Sequence, residues 1–85
     1  MRVSKPPTLR ALGEAIRAAR EARGLSQEDL ADRAGLHRTY VGGVERGERN
    51  VGLLNVFALC SALGLSPSKL LGDVEHRLNR ERTRT

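Results

Sequence analysis

Residues 37–44 combine small, polar and basic side chains with two apolar ones, Val41 and Val44. Residues three apart share one face of a helix, so the two valines point inward and the side chains around them point outward. An outward arginine can form paired hydrogen bonds to phosphate or to a guanine edge. A short helix of this kind suits insertion into the major groove of DNA. The outward positions are His37, Arg38, Thr39, Gly42 and Gly43.

A second short helix must precede this one and hold it in place. Leu30 and Ala31 give that helix its buried side, and Ser26 before it can cap the backbone amide of Asp29. Acidic residues at this start also favour the positive end of the helix dipole. Gly35 then marks a turn. The spacing predicts two amphipathic helices joined by one tight turn.

Another helix is predicted ahead of this pair. Apolar residues recur at three- and four-residue steps from Leu9 onward, and Gly24 is suited to a left-handed stop at the end. Thr8 is the expected cap of this helix. Residues 1–8 are predicted to form a flexible basic arm.

Two more helices are predicted after the pair. The fourth covers residues 53–63 and closes at Gly64, and the fifth starts with Ser66 as its cap. Residues 77–85 are expected to fray as a basic tail, which leaves residues 9–76 as the folded domain. Because β-branched or aromatic strand-like runs are absent, we predict an all-α fold.

The charge balance of the 85-residue chain is basic. Fifteen Lys and Arg against ten Asp and Glu give a formal net charge of +5, and 13 of the 15 basic residues are arginine. A chain of this length supports one domain with a single modest core. The charge fits a nucleic-acid partner, and it also fits solubility alone.

Catalytic, metal and cofactor chemistry are not indicated. The single cysteine, Cys60, allows no intramolecular disulfide, and His37 and His76 provide no Cys/His metal cluster. Without a nucleophile–base pair or a glycine-rich phosphate loop, we expect neither an enzyme nor a cofactor. Residues 51–65 are apolar but too short to span a bilayer, and no signal-peptide pattern is visible. We therefore expect a cytoplasmic protein with no membrane or small-molecule partner.

Two features admit two interpretations each. Gly42 and Gly43 each cost a helix on the order of 1 kcal/mol relative to Ala, which indicates a close approach to the backbone by DNA or by helix two. Helices four and five carry more apolar surface than one core requires, which predicts either a dimer interface or packing on helix one. The predicted interface residues are Leu54, Phe57, Leu70, Leu71 and Val74.

Four motifs follow one another along the chain: R-x-x-x-G-L-S-Q-E-D-L-A at residues 20–31, A-G-L at 34–36, E-R-G at 45–47 and A-L-G-L-S-P-S-K-L-L at 62–71. With them, residues 9–71 resemble the helix-turn-helix domain of phage-repressor and Cro-type regulators, the XRE family. This resemblance implies a five-helix, lambda-repressor-like DNA-binding domain whose helix-turn-helix is formed by helices two and three. Within the family, R-T-Y at residues 38–40 and E-R-x-x-R-N at 45–50 are similar to controller proteins of bacterial restriction–modification systems.

The family pattern, combined with helix geometry, implies roles for the polar residues. Arg38, Thr39 and Gly43 would read bases, while Arg20 and Glu45 would form an ion pair inside the domain. For Tyr40, core packing is the alternative to a phosphate contact. A solvated surface position is the alternative for Gln27, Arg38, Arg49 and Asn50. The residues expected to contact phosphate are Gln27, His37, Tyr40, Arg46, Arg49 and Asn50.

The resemblance implies a transcriptional regulator that binds double-stranded DNA as a homodimer on a palindromic operator. Its expected location is the bacterial cytoplasm, at the nucleoid, and RNA polymerase is a further partner left open. Control of restriction–modification genes is also left open. A protein-interaction module, such as an antitoxin or adaptor, is the alternative, although Arg38 and Gln27 would then lack a purpose.

Overall fold

Residues 5–83, the part of the chain that the computed structural model describes, form five helices and no strand. The predicted all-α, five-helix fold is confirmed. In chain order the helices are α1 (Pro7–Ala22), α2 (Gln27–Ala34), α3 (Arg38–Glu45), α4 (Leu53–Leu63) and α5 (Pro67–Thr83).

Local sequence sets most of the helix ends. The Ser26 hydroxyl accepts a hydrogen bond from the Asp29 amide at 2.9 Å, and the Asp29 carboxylate accepts one from the Ser26 amide at 3.0 Å. The hydrogen bond from the Ser26 amide lowers the pKa of the Asp29 carboxyl, and the two bonds together satisfy two amides at the start of α2. Gly35 and Gly64 adopt left-handed φ values of 71° and 63° and close α2 and α4 as predicted. Ser66 caps α5, also as predicted.

The start of the chain differs from the prediction. Thr8 does not cap α1, because the helix already begins at Pro7, where the fixed φ of proline suits a first helical position. Of the predicted flexible arm, residues 1–4 lie outside the described range. Lys5 is held, since its Nζ donates to the backbone oxygen of Arg46 at 3.0 Å. The folded domain therefore begins before residue 9.

The end of the chain differs as well. The predicted fraying of residues 77–85 is wrong over their described part, because α5 continues through Thr83. Its second half is fixed to α1 by charge: the Arg77 guanidinium lies 3.6 Å from the Glu14 carboxylate. The folded domain thus extends beyond residue 76.

The core forms where α1 packs against α3 and α5, α2 against α3 and α4, and α4 against α5. Leu70 and Val74, predicted to face a partner copy, are only 1% and 6% exposed, because their face of α5 joins this common core. Their assignment to a dimer interface is wrong. The most deeply buried side chains are those of Ile16, Leu30, Val41, Val44, Leu59, Cys60 and Leu70.

α1 and α3 cross in close contact at Gly13, a residue for which no role was predicted. A Cβ at this position would stand 2.5 Å from the carbonyl oxygen of Glu45, and closer still to that of Val44. Gly47, just after α3, has a left-handed φ of 76°, and a Cβ there would lie 3.0 Å from the Cα of Arg10. These two glycines let the end of α3 rest directly on the α1 backbone.

Candidate nucleic-acid interface

α3 presents its first turn to solvent. Arg38 and Thr39 are exposed, and so is His37, the N-cap residue, whose side chain makes no cap hydrogen bond. Val41 and Val44 are buried on the opposite side of the helix, as the three-residue spacing predicts. The N-terminal edge of α3 therefore carries a basic and a hydroxyl side chain at a surface that a DNA groove could reach.

A buried ion pair holds this helix from behind. Arg20 of α1 bonds the Glu45 carboxylate through Nε at 2.7 Å and Nη2 at 3.0 Å, with the two residues 9% and 7% exposed. Arg20 also donates to the backbone oxygen of Leu25 at 2.8 Å. The hydrogen bond to Glu45 raises the pKa of Arg20, so its charge is fixed. The pair implied by the family pattern is present, with Glu45 as the last residue of α3.

Gln27, the first residue of α2, is tied to the same carboxylate. Its Nε2 donates to Glu45 Oε1 at 2.9 Å. Because Glu45 in turn holds Arg20, the side chain at the start of α2 is oriented by a network that begins in α1. Two kinds of group at the start of α2 could donate hydrogen bonds to a phosphate. They are the second hydrogen of the Gln27 side-chain amide and the N-terminal backbone amides of the helix.

The glycine pair of α3 does not face open solvent, which corrects the prediction that both residues point outward. Gly42 and Gly43 are buried. A Cβ at position 42 would meet Arg46 Nη1 at 3.0 Å and Gln27 Oε1 at 3.5 Å, and one at position 43 would meet Arg49 Cγ and Nε at 3.1 Å. The close approach thus comes from the chain's own long side chains. Direct base reading by Gly43 would require Arg49 to move away.

Tyr40 links α3 to α4. Its ring is half-buried against the core, and its hydroxyl accepts a hydrogen bond from Asn55 Nδ2 at 3.1 Å. Arg49 places its guanidinium carbon 5.9 Å from the ring centroid, a cation–π distance. Asn55 had no predicted role. The sequence signal for this contact is the polar amide of Asn55 in a helix without charged residues, since such a group needs a hydrogen-bond partner nearby.

In the loop that follows α3, residues 46–52, Glu48 lies close to two cations. Arg46 Nε lies 3.2 Å from Glu48 Oε1, and Lys5 Nζ lies 3.4 Å from Glu48 Oε2. These two cations, Arg46 first, lower the pKa of Glu48, which therefore stays ionised at neutral pH. Glu48 had no predicted role either. Asn50, at the end of this loop, is exposed.

Large apolar side chains of α4 and α5 are exposed. Phe57, Leu54 and Leu71, all expected at a dimer interface, are exposed, with Leu54 the most so at 86%. Leu53 is exposed beside them and was not predicted. Isolated exposed apolar residues are ordinary, but four large ones on two consecutive helices form a surface that a partner could cover.

Within residues 5–83, no group of three or more His, Cys, Asp and Glu side chains is placed to hold a metal ion. In the same range no single helix is long and apolar enough to cross a membrane, and α4 with α5 reaches that size only across a bend of 104°.

Known proteins share both the sequence and this architecture. Residues 16–70 match the family model described as helix-turn-helix. The chain is 53% identical over 60 residues to the control protein C.SmaI of Serratia marcescens, a match that covers 71% of each chain.

Two solved structures give the same result. The restriction–modification controller protein C.AhdI from Aeromonas hydrophila aligns with a TM-score of 0.72 and 53% identity, over 73% of this chain and 94% of that one. The controller protein C.Esp1396I, solved as a tetramer in complex with its natural 35-base-pair operator, aligns with a TM-score of 0.78 and 28% identity, over 84% of this chain and 93% of that one. The resemblance proposed from the motifs is thereby confirmed. The chain belongs to the helix-turn-helix, XRE-type family of bacterial DNA-binding transcription regulators and is of the restriction–modification control type.

Proposed function

We propose that this protein acts as a homodimer on a two-fold-symmetric operator and regulates transcription there, with restriction–modification genes as its targets. The observation that carries the proposal is the first turn of α3, where Arg38 and Thr39 are exposed on a helix held from behind by the Arg20–Glu45 pair. A rigid helix with an exposed basic edge reads bases with little reorganisation.

Contacts to the DNA backbone would fix the register of that helix. We assign them to Gln27 at the start of α2, to His37 and Tyr40 of the α3 region, and to the residues after α3. Phosphate contacts orient a protein on the duplex and carry its salt dependence. The residues assigned after α3 are Arg46, Arg49 and Asn50.

The dimer would form through the exposed apolar surface of α4 and α5, that is Leu53, Leu54, Phe57 and Leu71. A symmetric pair would hold two copies of α3 about 34 Å apart, one DNA turn, so that both enter the major groove on one face. The protein would work in the cytoplasm at the nucleoid. Where the operator lies relative to the promoter would decide whether RNA polymerase is recruited or blocked.

Selection from pooled random DNA tests the binding proposal. We expect enrichment of a two-fold-symmetric site, and we expect Arg38→Ala to lose about 1–3 kcal/mol of discrimination at one base pair of each half-site. Arg17→Ala is the matched control, because it removes an exposed arginine from α1 that pairs with Glu21. If Arg38→Ala weakened all sequences equally, Arg38 would be a phosphate contact. Enrichment of no sequence, with a co-purifying protein, would favour an interaction module.

Sedimentation tests the dimer. Leu54→Glu places a charge in the proposed interface at a position that is 86% exposed in the single chain, so folding should survive. We expect a folded monomer and the loss of cooperative binding to the full operator. A variant that stayed dimeric at the same concentrations would exclude this surface as the interface.

A further inference from the structure

The turn after α3 brings the chain back over the helix it has just left. The Gly47 amide bonds the Val44 oxygen at 3.0 Å and the Glu48 amide bonds the Gly43 oxygen at 2.9 Å. With the left-handed Gly47, these two bonds form a Schellman motif. The next residue, Arg49, is thereby directed back toward α3.

Arg49 lies across α3 at Gly43. Its Cγ and Nε would be 3.1 Å, and its Cδ 3.6 Å, from a Cβ at position 43, so a side chain there would fit only if Arg49 shifted by a few tenths of an ångström. Beyond this crossing point the guanidinium lies over the Tyr40 ring. Tyr40 is itself held through its hydroxyl by Asn55.

Backbone conformation does not explain a glycine at position 43. Its φ is not among the positive values, which occur at Gly24, Gly35, Gly47 and Gly64. Alanine would be the better residue for this helix by about 1 kcal/mol. The space taken by Arg49 is the physical reason that remains for the missing side chain.

We propose that Gly43 is a positioning residue for DNA binding: its missing side chain lets Arg49 lie flat across α3 and hold its guanidinium over Tyr40, where it meets the DNA backbone. The inference rests on the proposed function, because it makes Gly43 act through the phosphate contact assigned to Arg49. It replaces direct base reading by Gly43. A methyl group at position 43 would push the Arg49 side chain outward by a few tenths of an ångström where it crosses α3, and so loosen its contact with Tyr40.

A double-mutant cycle on the selected operator tests the coupling. We expect Arg49→Ala to lower affinity roughly tenfold and to make the dependence of log K on log[salt] shallower by about 0.9 for each protomer of the dimer. Gly43→Ala should change both quantities in the same direction by a smaller amount. In the Arg49→Ala background, Gly43→Ala should have no further effect. A loss that persists in that background would mean that Gly43 meets DNA directly and would overturn the proposal. Wild-type affinity of Gly43→Ala would overturn it as well.

A measurement without DNA separates this inference from the proposed function. Tyr40 is the only tyrosine and the chain has no tryptophan, so its ring protons are readily assigned by NMR. We expect cross-peaks between the Arg49 side chain and the Tyr40 ring to weaken in Gly43→Ala. They should remain in Gly72→Ala, the matched control, because a Cβ at position 72 in α5 meets nothing within 4 Å. Unchanged cross-peaks in Gly43→Ala would refute the positioning role even if the protein bound its operator.

Thermal unfolding completes the test. Because Arg49 is exposed and can move, Gly43→Ala should unfold at the same temperature as the wild type or higher. A lower unfolding temperature would show that the space beside Gly43 is filled by a tightly packed neighbour and not by the movable side chain of Arg49.

Discussion

The two sides of α3 are packed in different ways. On the inward side Val41, Val44 and Glu45 are almost fully buried, and the α1 backbone at Gly13 leaves no room for one more carbon. On the outward side the helix is covered by the side chains of Arg46 and Arg49, which are themselves exposed. Short, directional contacts on the inward side therefore fix the position of α3, while long side chains form its outward surface. Changes on the inward side should alter folding, and changes on the outward side should alter binding.

The largest effect is expected from Arg20→Met, which leaves the buried Glu45 carboxylate without its cation and with only the hydrogen bond from Gln27. Stranding one charge of such a pair typically lowers the free energy of unfolding by about 3–5 kcal/mol. Urea unfolding measures the loss. Arg17→Met, in the exposed pair with Glu21 on the same helix, should lose less than about 1 kcal/mol. If the two variants were equally stable, the inward side would not be fixed by charge.

A smaller loss of stability is expected from Gly13→Ala. The added methyl would meet the backbone oxygens at the end of α3, which cannot rotate away as a side chain can. Overpacking of this kind costs typically about 1–3 kcal/mol. Gly72→Ala has open space around it and should instead gain up to about 1 kcal/mol from helix propensity. Thermal or urea unfolding measures the stability of both variants. An equal gain in stability in the two would contradict the close crossing of α1 and α3.

The smallest effect, and the only gain in binding, is expected from Glu48→Gln on the outward side. This change frees Arg46 and Lys5 from a carboxylate that lies within 3.4 Å of both. Affinity for DNA should rise a few-fold, and log K should fall more steeply with log[salt] by about 1 for each protomer of the dimer. Fluorescence anisotropy at several salt concentrations measures both quantities.

The pH dependence provides an internal control for Glu48→Gln. Because Arg46 and Lys5 lower the pKa of Glu48, the wild-type carboxylate keeps its charge until the pH falls below the ordinary glutamate range. The variant and the wild type should therefore differ at neutral pH and converge only in acid. Glu21→Gln, which changes an exposed carboxylate of α1, should leave DNA affinity unchanged. Weaker binding by Glu48→Gln would mean that Glu48 orients Arg46 for DNA and does not compete with it.

Much of the inward side could be predicted from the sequence. Helical spacing identifies Val41 and Val44 as buried because the period of a helix fixes which residues share a face. Ser26 with Asp29, and Gly35, mark the ends of α2 because their signals act within a few residues. The Arg20–Glu45 pair came from the family pattern, since a contact across 25 residues has no local signal.

The remaining features depend on distances between helices. Periodicity gives the direction of a side chain about its own axis but not the separation of two axes, so the crossing at Gly13 had no signal beyond an isolated glycine in a helix. For the same reason Leu70 and Val74 could face either the core or a partner copy. The prediction that Gly43 faces outward was wrong because Arg49 covers it, and Arg49 returns from a turn whose course depends on tertiary contacts.

Cys60 is a built-in probe of how often the domain opens. The thiol is 1% exposed, and burial raises its pKa, so the reactive thiolate is scarce while the domain is closed. It is also the only cysteine in the chain. Alkylation in native buffer can therefore proceed only through opening of the helices around α4, and its rate reports how often that opening occurs. Alkylation of Cys60 thus measures the free energy of local opening without denaturant, both in the free protein and in the protein bound to DNA.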